Sequence, residues 1–272
     1  MSYLQHVFNV EEHGPLIRVR CGRSVAGRVL HEVSCYLLGD TLVDSGCPAT
    51  ARELARWCAG RHVTRVVHTH HHEDHTGGDA ELVRTLGVEV VAPPRTVPIL
   101  RRFYRLPWYR WMVWGRARSA PCRAMGASVR IGGKRFEVIA TPGHAADHVC
   151  LHQPDSGWVF TGDLFISRRV RYLRAVEDAQ RILESLRVVR ALEPRLLICS
   201  HAGPVEDAVA ALDERIEDWE DVSRRARRLI ADGAGLADTT RRVLGAEGPM
   251  ALISGGDFAK QNLVRSLVAG RG

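Results

Sequence analysis

The sequence predicts a mixed α/β protein with a helical segment at its carboxyl end. Up to Gly203, short apolar runs rich in β-branched residues alternate with helical patterns, and Gly, Pro or Asp bound most of them. Beyond Gly203, apolar residues recur every three to four positions, which is typical of amphipathic helices. The 272 residues are 45% hydrophobic and 25% charged, and no run approaches the roughly 18 apolar residues of a membrane span. We therefore expect a soluble globular protein.

Hydrophobic periodicity and turn residues place the individual elements. Strand-like runs occupy residues 16–20, 34–39, 41–46, 64–68, 88–92, 134–140, 148–152, 157–162 and 195–200. Helical patterns occupy residues 49–59, 78–86, 175–191, 205–233, 236–244 and 249–269. The order of these elements predicts a main domain over residues 1–203 and a C-terminal helical extension over residues 204–272.

The composition argues against several functional classes. The formal net charge is +7, but nearly all of the basic residues are arginines, and no nucleic-acid-binding motif accompanies them. The amino-terminal residues lack the basic flank and apolar core of a secretory signal. Seven cysteines form an odd set without a C-x-x-C pair, which favours reduced thiols. We therefore expect a cytoplasmic protein with no nucleic-acid or membrane partner.

A histidine-rich stretch, VVHTHHHEDHTGG at residues 66–78, is the most informative part of the sequence. It contains the pattern H-x-H-x-D-H at His70, His72, Asp74 and His75. In an extended segment His70 and His72 point the same way, and a turn can direct the two residues that follow to a second point. Imidazole and carboxylate groups are ordinary ligands of zinc and related ions. The stretch follows a strand-like run, so we expect a metal site at the carboxyl end of that strand.

Three more candidate ligands each follow a strand-like run. They are His144 in ATPGHAADH, Asp163 in VFTGDLF and His201 in LICSHAGP. Because strand ends in an open α/β sheet converge on one crevice, separate loops can deliver all of these side chains to one place.

Together these motifs resemble the metallo-β-lactamase-fold superfamily over residues of roughly 1–203. The resemblance implies a four-layer αβ/βα sandwich, in which helices flank two mixed β-sheets. It also implies two metal ions, one held by His70, His72 and His144 and the other by Asp74, His75 and His201, with Asp163 bridging both. The DSG sequence at residues 44–46 matches an early turn of the family, whose aspartate is structural.

The same resemblance implies a dinuclear metal-dependent hydrolase. A hydroxide that bridges the two ions would attack an ester, thioester or lactone, and Asp74 would accept a proton. Zinc is expected first, with iron or manganese as alternatives. True β-lactamases lack an aspartate at the position of Asp163, and the filled pattern is similar to glyoxalase II thioesterases, lactonases and phosphodiesterases. Quorum-quenching lactonases have a tyrosine where this chain has Ile166, which weakens the case for a lactone.

Two alternatives share these ligands. A phosphodiesterase of the same fold would suit the positive net charge. An iron-dependent persulfide dioxygenase would use one iron ion, so the identity of the metal would distinguish it from a hydrolase.

The segment SRRVRYLR at residues 167–174, just after Asp163, is the first candidate for substrate recognition. We predict that Arg168, Arg171 and Tyr172 contact a small-molecule substrate, with the arginines binding a phosphate or carboxylate. The alternative is a solvated, arginine-rich surface.

The second candidate is an apparent insertion at residues 93–126, rich in arginine and aromatic residues. Tyr104, Trp108, Trp111 and Trp114 recur at three- to four-residue spacing, which predicts a helix with one aromatic face. If this helix is a lid, Trp108 and Trp111 contact an apolar part of the substrate. The alternative is that the aromatic face packs on the domain or on the partner in a homodimer.

Overall fold

Two β-sheets packed face to face, with helices on both outer faces, form the framework of the protein. The computed structural model describes residues 4–102 and 106–269. Tyr104 of the predicted aromatic face lies outside these ranges. The architecture confirms the predicted four-layer αβ/βα sandwich with helices at the C-terminal end.

The first sheet, within the described residues, has seven strands that lie side by side in chain order. They are β1 (Leu4–His13), β2 (Leu16–Val25), β3 (Arg28–Leu38), β4 (Thr41–Val43), β5 (Arg65–Val67), β6 (Glu89–Ala92) and β7 (Arg123–Ala124). The first three pairings are antiparallel, whereas β4 to β7 run parallel to one another. The carboxyl ends of these last four strands therefore share one edge of the sheet.

The second sheet has six strands over the same described ranges. They are β8 (Ser128–Ile131), β9 (Lys134–Ala140), β10 (Val149–Gln153), β11 (Trp158–Gly162), β13 (Leu196–Cys199) and β14 (Gly203–Val205). Their spatial order is β14-β13-β11-β10-β9-β8, and β11 and β13 are parallel. A separate pair of two-residue strands, β12 (Leu173–Arg174) and β15 (Phe258–Ala259), joins the segment after Asp163 to the C-terminal region.

The helices form the two outer layers. They are α1 (Ala51–Ala59), α2 (Glu73–Thr76), α3 (Asp79–Leu86), α4 (Val97–Leu100), α5 (Trp108–Trp114), α6 (Ala179–Arg190), α7 (Ala208–Ala231), α8 (Leu236–Leu244), α9 (Pro249–Ile253) and α10 (Lys260–Val268). Apolar side chains of α1 and α3 pack on the first sheet, and those of α6, α7 and α10 pack on the second. Among the described residues, no helix combines the length and apolarity needed to cross a membrane.

The core between the sheets is built from the inward-facing side chains of both. Tyr36 of β3 and Phe136 of β9 lie with their ring centroids 5.9 Å and 5.6 Å from that of Phe160 on β11. This packing fixes the two sheets relative to each other. All seven cysteines are buried and unpaired, as predicted.

The C-terminal prediction of one helix over residues 249–269 is wrong. Gly255 and Gly256 adopt positive φ angles of 61° and 88°, a backbone conformation that ends a helix. The chain therefore forms α9, then the short strand β15, then α10. Strand β1, an exposed strand at the edge of the first sheet, was not among the predicted strands. The predicted domain boundary at residue 203 falls at the start of β14.

Candidate metal centre

The histidine-rich stretch changes direction at His72. Strand β5 ends at Val67, the second residue of the stretch. The backbone at His72 is extended, and α2 begins at the next residue. The N–H of His75 donates to the carbonyl of His72 at 3.0 Å. His70 and His72 therefore precede the bend, and Asp74 and His75 follow it.

The seven predicted ligands form two groups, and within each group the donor atoms all lie within 4.8 Å of one another. The first group is His70, His72, His144 and Asp163, and the second is Asp74, His75, His201 and Asp163. Asp163 belongs to both groups. Its Oδ2 lies 3.2 Å from His144 Nε2, and its Oδ1 lies 3.1 Å from His75 Nε2. One carboxylate thus faces both groups with different oxygens.

A glycine brings Asp163 into this position. Gly162 has a φ of +48°, and a Cβ atom there would lie 2.7 Å from Nε2 of the buried His148. That nitrogen accepts a hydrogen bond from the N–H of Asp163 at 3.1 Å. Burial lowers the pKa of His148 to about 4, so the ring is neutral and can accept. His148 therefore helps to fix the backbone of Asp163.

Partners on the outer side of the cluster orient three of the ligand histidines. In each case Nδ1–H donates to an oxygen, and the pairs are His75 with the Asp44 carboxylate at 2.7 Å, His201 with the Glu32 carbonyl at 2.8 Å and His144 with the Glu177 carboxylate at 2.7 Å. In a neutral imidazole with hydrogen on Nδ1, the lone pair is on Nε2. These contacts therefore aim three Nε2 lone pairs at the cluster, which is how outer partners orient metal ligands.

Several donor atoms of the cluster are buried and make no hydrogen bond within the described parts of the chain. They are His70 Nε2, His75 Nε2, Asp74 Oδ1 and Asp163 Oδ1. Buried polar atoms are nearly always paired, so four orphans at one point indicate a missing partner. Nitrogen and carboxylate oxygen atoms suit divalent transition ions. The donor set therefore fits two divalent metal ions.

The charges of the cluster favour a cation at this point. Burial holds the pKa values of His70 and His72 well below their usual range. Burial also opposes a proton on His75 and His201, but the nearby carboxylates, Asp163 foremost, together outweigh it and raise the pKa of both rings. In turn, these two rings overcome the effect of burial and hold the pKa of Asp163 well below its usual range. The negative charge of Asp163 therefore stabilises positive charge beside it.

Asp44 supports the cluster from its outer side. It has a positive φ of 59° and accepts from the N–H and the hydroxyl of Thr69, both at 2.9 Å. His68 lies between Asp44 and Asp79, with its Nε2 2.8 Å from Asp79 Oδ2. Burial disfavours a charged His68, but the two carboxylates raise its pKa to about 9. Neither Asp44 nor His68 faces the orphaned donor atoms, so their contribution is structural.

Two arginines beside the cluster were not among the predicted site residues. Arg110 of α5 donates from Nε to Glu73 at 2.6 Å, and its Nη2 lies 3.8 Å from Asp74 Oδ1. Arg174 of β12 has its Nη1 3.3 Å from His72 Nε2. Both are buried. Arg174 belongs to the arginine-rich segment 167–174, which the sequence had indicated as a candidate for substrate recognition. No sequence signal ties Arg110 to the ligand motifs, because it comes from a distant segment.

Asp257, which precedes β15, braces this side of the site. Its carboxylate accepts from Arg174 Nε at 3.2 Å, from the N–H of Ala175 at 3.2 Å and from the hydroxyl of Tyr109. The C-terminal region therefore contacts both arginine-bearing segments that border the cluster.

The five residues predicted to bind substrate differ in their partners and in their exposure to solvent. Arg168 pairs with Asp207 and Glu214, and Arg171 pairs with Asp218 at 2.8 Å. The other three residues are Tyr172, whose ring lies 5.7 Å from Lys260 Nζ, and Trp108 and Trp111, whose exposed fractions are 62% and 55%. Both arginines thus already have carboxylate partners on α7 or at its start. Trp114, by contrast, is buried.

Comparisons with known proteins agree with this geometry. A family model described as the metallo-beta-lactamase superfamily matches residues 29–220. A hydroxyacylglutathione hydrolase of Cereibacter sphaeroides is 33% identical over 141 residues, which cover 52% of this chain and 49% of that protein. The similarity therefore spans about half of that relative's length.

Two further proteins extend the comparison. An atrochrysone carboxyl ACP thioesterase of Aspergillus fumigatus is 27% identical over 214 residues, covering 74% of this chain and 59% of the relative. A solved beta-lactamase domain protein from Burkholderia ambifaria superposes with a TM-score of 0.71 at 19% identity, covering 96% of this chain and 86% of that one. The likeness to the Burkholderia ambifaria protein concerns the fold alone.

Proposed function

Since this chain belongs to the metallo-beta-lactamase superfamily, we propose that it is a dinuclear metal-dependent hydrolase of thioesters or related esters. The observation that carries the proposal is the sharing of Asp163 between two complete groups of donor atoms. We assign His70, His72 and His144 to one ion, Asp74, His75 and His201 to the other, and Asp163 to both.

The proposed chemistry divides between the ions and the chain. When bound, two divalent ions supply a nucleophile that is deprotonated near neutral pH and stabilise negative charge on the reacting carbonyl. Asp163 sets the separation of the two positions, because its two oxygens face different groups. Asp74 Oδ1 is buried and has no hydrogen-bond partner in the described ranges, so it is the candidate proton acceptor. The guanidinium of Arg110 lies 3.8 Å from that oxygen.

A thioester is the substrate class with the most support. One relative is named a thioesterase and another a hydroxyacylglutathione hydrolase. A phosphodiester has less support, because the arginines expected to bind phosphate are paired with Asp207, Glu214 and Asp218. Two complete groups of donors also favour a dinuclear site over the single iron of a persulfide dioxygenase. Lactones remain within the proposed class.

The setting of the reaction is part of the proposal. Seven buried, unpaired thiols suit a reducing compartment, so we propose that the protein acts in the cytoplasm on a small-molecule substrate.

Metal content and substrate preference test the proposal together. Inductively coupled plasma mass spectrometry should find two equivalents of zinc, manganese or iron per chain. The loaded protein should hydrolyse a thioester faster than a lactone or a bis-aryl phosphodiester. Asp163→Asn should reduce both metal content and turnover, whereas Asp155→Asn, at an exposed turn outside the cluster, should change neither. One equivalent of metal without hydrolysis would contradict the proposal.

A further inference from the structure

Helix α5 has two chemically different faces. Tyr109, Arg110 and Trp114 are buried, whereas Trp108, Trp111 and Met112 have exposed fractions of 62%, 55% and 40%. Three exposed large apolar side chains within five residues are unusual, because water contact with such surfaces is unfavourable. We call Trp108, Trp111 and Met112 the aromatic face of α5.

The buried face holds this helix against the metal centre. Arg110 makes the 2.6 Å contact with Glu73, the residue between His72 and Asp74. At the other end of the helix, Arg23 of β2 donates from Nη1 to the carbonyl of Met112 at 2.9 Å. Both ends of the helix are thus attached, one to the ligand loop and one to the first sheet.

Trp114 and His31 connect the helix to the second group of donor atoms. The ring centroid of Trp114 lies 5.3 Å from that of His31 and 6.4 Å from that of His201. His31 lies 5.4 Å from His201 on the same measure. The buried face of α5 therefore lies beside the second group of donor atoms, through Trp114 and Arg110.

We infer that the aromatic face of α5 binds an apolar acyl group of the substrate, and this inference rests on the proposed hydrolase function. The face offers two indole rings and a thioether but no charged side chain, so it suits a long aliphatic or aromatic acyl chain rather than an anion. The same helix carries Arg110, whose Nη2 lies 3.8 Å from Asp74 Oδ1. The face thus belongs to an element that borders the proposed metal centre, which favours a group attached to the reacting carbonyl over a separate protein partner.

The energetics are sufficient to produce selectivity. A buried aromatic side chain covers about 150–250 Å². If an acyl chain covers about 60 Å² of apolar surface on Trp108 and Trp111, binding tightens roughly tenfold.

The experiment compares thioesters of N-acetylcysteamine that carry acetyl, hexanoyl, decanoyl and phenylacetyl groups, with the metal-loaded full chain. We expect kcat/KM to rise at least about tenfold from acetyl to decanoyl. Trp108→Ala and Trp111→Ala should each reduce that ratio several-fold, mainly through KM. Val188→Ala removes an exposed apolar side chain of α6 and should leave the ratio unchanged.

Binding of a non-hydrolysable decanoyl thioether analogue, followed by calorimetry, provides a second readout. It should weaken in both tryptophan variants. A flat acyl-length profile together with unaltered analogue binding would overturn the inference and leave the hydrolase proposal standing. Absence of hydrolysis for every thioester, with two ions bound, would instead overturn the proposed function, and analogue binding would then decide the inference alone. If light scattering shows that Trp111→Ala converts a dimer to a monomer, the face is an interface between copies and the inference is wrong.

Discussion

Orientation of single imidazole rings determines what the cluster can bind. His75, His201 and His144 each donate from Nδ1 to an oxygen outside the cluster, and these contacts leave Nε2 facing inward. A ring that is already oriented loses less conformational freedom when it ligates an ion. We therefore expect the three outer partners to contribute to metal affinity, although none of them is a proposed ligand.

Glu177 offers a direct test of this orientation. Replacing it by Gln removes the charge that accepts from His144 Nδ1 at 2.7 Å. We expect affinity for one of the two ions to fall about 10-fold or more, measured by competition with a chromophoric zinc chelator. Glu193→Gln changes a carboxylate whose side chain is 79% exposed and should have no effect. Equal affinities in the two variants would show that Glu177 does not orient His144.

The proximity of the proposed ligands was predictable at this scale, whereas most of their supporting residues were not. His70, His72, Asp74 and His75 lie within six residues of one another, so their spacing alone suggests a site. Glu177 and Arg110 contact the cluster from positions distant in sequence, and only tertiary packing brings them there. A periodicity argument contains no information about such contacts.

At the scale of elements, a buried ion pair anchors the predicted insertion. The side chain of Arg110 is 9% exposed, and that of Glu73 is fully buried. Glu73 Oε2 has no hydrogen-bond partner among the described residues. Burial raises the pKa of Glu73, so its charge depends on the arginine. Segment 93–126 is therefore attached to the ligand loop by a buried ion pair.

Replacing one partner of this ion pair should destabilise the protein much more than replacing both partners. We expect Arg110→Gln to lower the free energy of unfolding by about 3 kcal/mol or more, because a buried carboxylate is left without a cation. The double variant Glu73→Gln/Arg110→Gln should recover most of that loss, as measured by urea unfolding. Arg84→Gln, at an exposed pair on α3, serves as the control and should be neutral. Equal losses in the single and double variants would contradict a role for the charge.

Helix α7 contains a buried cation with an unusual environment. Arg215 is 2% exposed and lies 3.6 Å from the ring centroid of Trp219. Its Nε and Nη1 atoms make no hydrogen bonds in the described parts of the chain. Burial lowers the pKa of this guanidinium, which reflects the cost of keeping a charge there.

We therefore expect Arg215→Met to stabilise the protein. An unbranched apolar side chain preserves contact with Trp219 and removes the desolvation cost, so the free energy of unfolding should rise by about 1 kcal/mol. Arg215→Lys keeps the charge without the planar stacking group and should be less stable than the parent. Thermal unfolding of the three proteins distinguishes these cases, and a less stable Met variant would disprove the argument.

For the whole molecule, the proposed metal centre joins elements of both sheets. Its ligands follow β5 in the first sheet and β9, β11 and β13 in the second. Occupation of the centre should therefore stabilise the global fold rather than one loop. At a free ion concentration 100 times Kd, each site adds about 2.7 kcal/mol to the free energy of unfolding.

Removal of metal should consequently lower Tm by at least about 5 °C. The measurement is differential scanning fluorimetry of chelator-treated protein with and without added zinc, and magnesium serves as a control ion that suits oxygen-only sites. The Asp163→Asn variant should lose most of the zinc response. Identical Tm values with and without zinc would contradict a structural link between the sheets.

The sequence predicted the framework of the molecule better than its C-terminal end. Strands such as β5 and β11 are apolar runs with clear boundaries, so their positions agree with prediction. The prediction for the region after residue 249 is wrong because the apolar periodicity continues through Gly255 and Gly256, whereas their backbone angles end the helix. The pairing of β12 with β15 depends on contacts between residues more than 80 positions apart.

Asp257, which precedes β15, comes late in the chain, and this position affects the order in which parts of the site are synthesised. A ribosome that adds about 5–20 residues per second releases the last proposed ligand, His201, several seconds before Asp257. All of the proposed donor residues are therefore synthesised before Asp257, the residue that contacts Arg174 and Tyr109. Assembly of this centre is separated in time into an early stage of ligand supply and a late stage of bracing.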